Sequence, residues 1–109
     1  MKKIEIFEPA LCCPTGLCGP SVDQNLVRLT AFQRSVNHSG HAMIVRRNLA
    51  QNPHAFARNR QVVNLLETDG MACLPITFND GKIVKTGKYP TNDELTAYLG
   101  EPLAKTKQQ

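Results

Sequence analysis

Asn79-Asp80-Gly81 separates two short β-prone runs, Leu74-Pro75-Ile76-Thr77-Phe78 and Lys82–Thr86. A turn of this type between apolar runs signals a tight hairpin, because Asn, Asp and Gly tolerate the positive φ that such a turn demands. An antiparallel pair therefore lies near the carboxyl end. What precedes it alternates differently. Lys2–Phe7 is a β-rich alternating run, and His41–Asn48 is a second one around Met43-Ile44-Val45. Helical periodicity follows each of them. Parallel strands need a crossover connection whereas hairpin strands do not. A single sheet that holds all four strands must then be mixed.

The helical segments carry their own end signals. Ser21-Val22-Asp23-Gln24 reads as a capping box with Ser21 as N-cap. Val22, Leu26, Leu29, Phe32 and Val36 trace one face of the helix, and Gly40 stops it. Asn52-Pro53 opens a second helix, carried by Val62, Val63, Leu65 and Leu66 as far as Asp69-Gly70. Thr91-Asn92-Asp93-Glu94 is another capping box, and Gly100 and Pro102 end the last helix. The order β-α-β-α-β-β-α predicts an α/β, thioredoxin-like fold: a four-stranded mixed sheet flanked by helices. Residues 1–103 are expected to form one domain and 104–109 a flexible tail. Leu74-Pro75 sits where thioredoxin-like proteins place a cis-proline beside their thiols.

Three of the four cysteines fall within seven residues, Cys12, Cys13 and Cys18, in the run Leu-Cys-Cys-Pro-Thr-Gly-Leu-Cys-Gly. They sit between the first strand and the first helix, where helix amides would favour a thiolate. Pro14 pushes Cys13 toward extended geometry, and Thr15-Gly16 can supply the reversal that brings Cys18 back. Several chemistries compete for such a loop. Thiol exchange wants Cys-x-x-Cys, which is not present, and a Cys12–Cys13 bridge would be strained. Structural zinc wants four ligands, and His38, His41 and His54 lie elsewhere in the chain. Three soft thiolates suit trivalent arsenic or antimony, whose lone pair fills the remaining direction, with copper(I) next by softness. Cys73, between Ala72 and Leu74, reads as a packing residue.

Composition sets the outer bounds. The chain is 41% hydrophobic and 20% charged, the balance of a globular protein. Net charge is +4, which permits acidic partners or DNA without demanding either. Arg46, Arg47, Arg58 and Arg60 form the densest basic group, read as a solvated surface with a docking patch as the sharper alternative. Glu5 and Glu8 interrupt the start of the chain, so no signal peptide is expected and the protein is read as cytoplasmic. No segment has the apolar length of a membrane span, and a reducing cytosol favours cysteines as ligands or redox groups.

The runs FEPALCCPTGLCGPSVDQNL, NLAQNPHAF, LPITFNDG and GKYPTNDEL together resemble the ArsD family of arsenical resistance proteins over nearly the whole chain. The resemblance implies a thioredoxin-like fold and As(III) or Sb(III) as cargo on Cys12, Cys13 and Cys18. It also implies transfer of that cargo to the ArsA ATPase of the efflux pump, with no enzymatic activity and no organic cofactor. The family is further described as a weak, metalloid-responsive, commonly dimeric repressor, which implies a homodimer and weak operator DNA binding. The vicinal cysteine pairs of some members' longer C-terminal tails have no counterpart before Gln109. A thioredoxin-like thiol oxidoreductase is the alternative reading.

Overall fold

Asp80 (φ 51°) and Gly81 (φ 90°) both adopt positive φ, as the hairpin signal demands. The computed structural model describes residues 2–11, 13, 15–17 and 23–100 of the chain. Its elements are β1 (Lys2–Glu8), α1 (Gln24–Ser39), β2 (Ala42–Asn48), α2 (Pro53–Arg58) and α3 (Arg60–Asp69). A 3-10 turn (Gly70–Cys73), β3 (Ile76–Asn79), β4 (Lys82–Thr86) and α4 (Asn92–Leu99) complete them. The sheet order is β2-β1-β3-β4. β1 runs parallel to β2 and antiparallel to β3, and β3 runs antiparallel to β4. This is the mixed, thioredoxin-like sheet that the hairpin and the crossover together require.

Alternation along the strands divides the core between two faces. Ile4, Ile6 and Ile44 pack with Leu29, Phe32 and Val36 of α1 and with Leu95 and Leu99 of α4. On the opposite face Phe7, Ile76 and Phe78 pack with Phe56 of α2, Val62 of α3, Cys73 and Leu74. Phe7 is the centre of that second cluster, edge-on to Phe56 at 5.2 Å and to Phe78 at 5.4 Å. One edge of the sheet is covered by side chains. Asn37 Oδ1 accepts from the Ile44 amide at 2.7 Å, while Asn37 Nδ2 and Gln33 Nε2 donate to the Ile44 carbonyl. These bonds occupy backbone groups of β2 that would otherwise be open to another strand.

Several sequence expectations need adjustment. The second helix is two helices. Asn59 breaks it with an extended backbone and starts α3 by accepting from the Val62 amide at 3.1 Å, so a capping side chain outweighs continuous apolar patterning. α1 begins at Gln24 and is capped by Asp23, whose carboxylate accepts from the Asn25 amide at 2.8 Å, rather than by a Ser21–Gln24 box. Ser21 and Val22 lie outside the described residues, as do Pro102 and the tail 104–109. Asn52 precedes α2 without a side-chain cap; its Oδ1 accepts from the Asn48 amide instead. The Thr91–Glu94 capping box and the left-handed Gly100 after α4 are as expected. β3 begins at Ile76, so Leu74 and Pro75 precede it, joined by a cis peptide bond.

Candidate functional site

β1 ends at Glu8, and the chain enters the cysteine loop through Leu11. Asn48, at the end of the neighbouring strand, is buried and holds the entrance. Its Oδ1 accepts from the Leu11 amide at 3.4 Å and from the Gln51 amide at 2.9 Å. Cys13 lies in the loop, half-buried. Cys12 and Cys18 lie outside the described residues, as do Pro14 and Gly19-Pro20. The reversal expected at Thr15-Gly16 is present: Gly16 has φ 76°, and its amide donates to the Cys13 carbonyl at 3.0 Å. Gly16 is also a close approach, since a Cβ there would stand 2.6 Å from Leu26 Cδ1.

The surroundings of the Cys13 thiol favour negative charge. Thr15 Oγ1 lies 3.6 Å from Cys13 Sγ and accepts from the Leu17 amide at 3.2 Å. With its lone pair so engaged, the hydroxyl can turn its hydrogen to the sulfur. That hydroxyl, opposed by partial desolvation and joined by the amides of Gly16, Thr15 and Leu17, holds the thiol below the ordinary cysteine range. α1 begins at Gln24, and its Leu26 lies against Gly16 of the loop.

Directly behind the loop lies a charge pair that sequence reasoning missed. Glu8 is fully buried, and the Arg46 side chain is 3% exposed. Arg46 Nε donates to Glu8 Oε2 at 2.7 Å and Nη2 to Glu8 Oε1 at 2.8 Å, a two-pronged pairing. Nη1 donates to Thr30 Oγ1 at 2.9 Å, and Nη2 also reaches the Thr15 carbonyl at 3.2 Å. Tyr89 donates its phenol to Glu8 Oε1 at 2.8 Å. Burial first, then the Glu8 carboxylate, push the phenol's pKa far up, so it remains a donor.

This corrects the grouping of four arginines. Arg46 and Arg47 are consecutive in a strand, so they point to opposite faces. Arg47 bonds Glu5 at 2.9 Å on the far side. There it lines a concavity of about 370 Å³ with Glu5, Phe7, Ala55, Asn59 and the exposed Arg58 and Arg60. Cys73 packs among Phe7, Phe56 and Leu74, as expected, and burial followed by Asp69 pushes its thiol up. His38, His41 and His54 are exposed, and the described residues contain no cluster of three or more potential metal-ligating side chains. No helix among the described residues is long and apolar enough to cross a membrane.

The two described thiols differ in a way that alkylation can read. In a Cys12→Ser/Cys18→Ser background, iodoacetamide should label Cys13 at a lower pH than it labels any free cysteine peptide. Cys73 should stay unlabelled until the pH is well above that of the peptide. Equal labelling profiles for the two cysteines would contradict the assigned surroundings.

Comparison with known proteins adds an independent observation. The family model described as "Arsenical resistance operon protein ArsD" matches residues 1–109. Two Escherichia coli proteins, each named "Arsenical resistance operon trans-acting repressor ArsD", are 41% identical over 105 residues, 96% of this chain and 87% of theirs. The crystal structure of an arsenical resistance operon trans-acting repressor from Bacteroides vulgatus ATCC 8482 superposes with a TM-score of 0.85 at 40% identity. That match covers 92% of this chain and 93% of the other.

Proposed function

Because the chain belongs to the ArsD family of arsenical resistance operon proteins, we propose that it carries trivalent arsenic or antimony on Cys12, Cys13 and Cys18. It hands this cargo to the ArsA ATPase of the arsenite efflux pump and carries out no catalysis of its own. The observation that supports the reading is the Thr15 hydroxyl 3.6 Å from Cys13 Sγ, in surroundings that favour a thiolate. Capture is a ligand exchange. Arsenous acid, As(OH)3, meets three thiols; three As–S bonds form, three As–O bonds break, and three waters leave. The oxidation state does not change. Release to a partner runs the same way, one incoming thiol replacing one As–S bond while the displaced sulfur takes up a proton.

Two measurements test this. Mass spectrometry of reduced protein mixed with arsenite should show one arsenic per chain in place of three hydrogens. Arsenic-loaded protein mixed with the ATPase should pass its cargo on even when a small-molecule thiol competes for free ion. Charge reversal at Arg58 and Arg60, the exposed arginines of the concavity, should slow transfer several-fold and leave arsenite affinity unchanged. Transfer at the rate of spontaneous dissociation, whatever the ATPase concentration, makes the protein a buffer or sensor instead.

The relatives are named trans-acting repressors of an arsenical resistance operon, which favours a second activity, operon repression; we infer that it responds to the metalloid and is carried out by a homodimer. With +4 per chain, few phosphate contacts are available unless two chains combine. Operator binding is therefore expected to be weak and to weaken further as salt rises. Tight binding that does not respond to salt in a gel-shift titration contradicts that expectation.

A further inference from the structure

The Glu8–Arg46 pair calls for an explanation that stability does not provide. Taking two opposite charges out of water costs roughly what their attraction returns, so an apolar pair of the same shape often serves a core as well. The face on which Glu8 and Arg46 lie is already packed with Ile4, Ile6, Ile44 and Leu29. What the pair adds is reach. One guanidinium ties β1 through Glu8, α1 through Thr30, and the cysteine loop through the Thr15 carbonyl. Tyr89, from the segment before α4, secures the carboxylate.

Thr15 is where the tie meets the thiol. Its carbonyl is held from behind by Arg46 Nη2, and its hydroxyl lies against Cys13 Sγ. Fixing the carbonyl limits the rotation of the residue that carries the hydroxyl. We propose that Arg46, oriented by Glu8, is a positioning residue for metalloid capture: its bond to the Thr15 carbonyl presets the cysteine loop in its receiving conformation. The inference rests on the cargo reading above and assigns its preorganisation to residues outside the cysteine motif. A loop ordered in advance loses less freedom on binding and so binds more tightly. Arginine is required because a planar fork can serve a carboxylate and a carbonyl together, which a lysine ammonium at the end of a flexible stem does poorly.

Arg46→Lys separates the two roles, keeping a positive charge beside Glu8 while losing the second prong. Arsenite affinity should fall about tenfold, the size expected for one charge-assisted hydrogen bond. Amide exchange at Gly16 and Leu17 should quicken by a similar factor, with Ile6 and Ile44 unchanged. Lys85→Gln, which removes the ion pair with Glu94 and touches neither Glu8 nor the loop, should stay within about twofold of wild type in both measurements. If Arg46→Lys does not fold, Glu8→Gln/Arg46→Met removes both charges and should show the same loop-specific changes. Wild-type affinity and wild-type exchange at Gly16 and Leu17 in a folded variant overturn the proposal. Quickened exchange spread through β1 and β2 also overturns it, since that describes a merely structural pair. A wild-type protein that fails to bind arsenite sinks the cargo reading instead, and the exchange data still decide whether Arg46 anchors the loop.

Discussion

Cys13→Ser is expected to lower arsenite affinity by roughly 100-fold or more, while stability stays within about 0.5 kcal/mol of wild type. Altering groups that only orient a ligand commonly costs about 10–100-fold in metal affinity, so deleting a ligand should cost at least the upper end. Serine keeps the shape but offers a hard oxygen that remains protonated at neutral pH, and trivalent arsenic prefers soft thiolate. The stability expectation follows from position. Cys13 is half-buried in a loop held by backbone and side-chain hydrogen bonds, so the substitution opens no cavity in either core cluster. Cys12→Ser and Cys18→Ser should match its effect on binding. Cys73→Ser should leave affinity intact and lower stability, because it puts a hydroxyl among Phe7, Phe56 and Leu74. Wild-type affinity in Cys13→Ser, or oxygen and nitrogen neighbours in the arsenic X-ray absorption spectrum, removes Cys13 from the ligand set.

Glu8→Ala should be among the most damaging single changes in the chain, at about 3–5 kcal/mol. It leaves the Arg46 guanidinium buried with no counter-charge and takes the acceptor from the Tyr89 phenol. Domains of this kind are stable by only about 5–15 kcal/mol, so much of the total is lost. The melting temperature should drop by roughly 15 °C or more. Urea unfolding is the direct measurement, and a change below about 1 kcal/mol shows that water reaches the pair. Comparison with the double substitution Glu8→Gln/Arg46→Met separates the harm of a stranded charge from the worth of the pair, because the double variant strands none.

The fold was largely legible in the residues because its signals are local. Asp80-Gly81 announces the hairpin, Thr91 with Glu94 the last helix, and the apolar positions of α1 the face it buries. The break at Asn59 was less visible, since Val62 to Leu66 continue a helical pattern that hides a new cap. The cysteine motif marked the site's position, but its supporting groups come from distant segments. Glu8 and Tyr89 are 81 residues apart. A signal was nevertheless present. Ile4, Ile6 and Glu8 share one parity in β1, as Ala42, Ile44 and Arg46 do in β2, and Ile6 pairs with Arg46 in the parallel register. Opposite charges at matching ends of two apolar rows imply a buried pair, whereas reading the arginines as a linear cluster concealed it.

β2 spells Ala-Met-Ile-Val-Arg-Arg-Asn, and its two faces are close to interchangeable. Inward lie Ala42, Ile44 and Arg46; outward lie Met43, Val45 and Arg47. Sliding the strand by one residue would still present two apolar side chains and an arginine to Glu8, so hydrophobic patterning alone chooses poorly between the alternatives. Asparagines break the tie. Asn37 grips both the amide and the carbonyl of Ile44, and the Asn48 side chain is buried where it meets the amides of Leu11 and Gln51. Neither match survives a one-residue displacement. The alignment of this strand is thus written in two carboxamides, and the arginine that reaches the cysteine loop inherits its position from them.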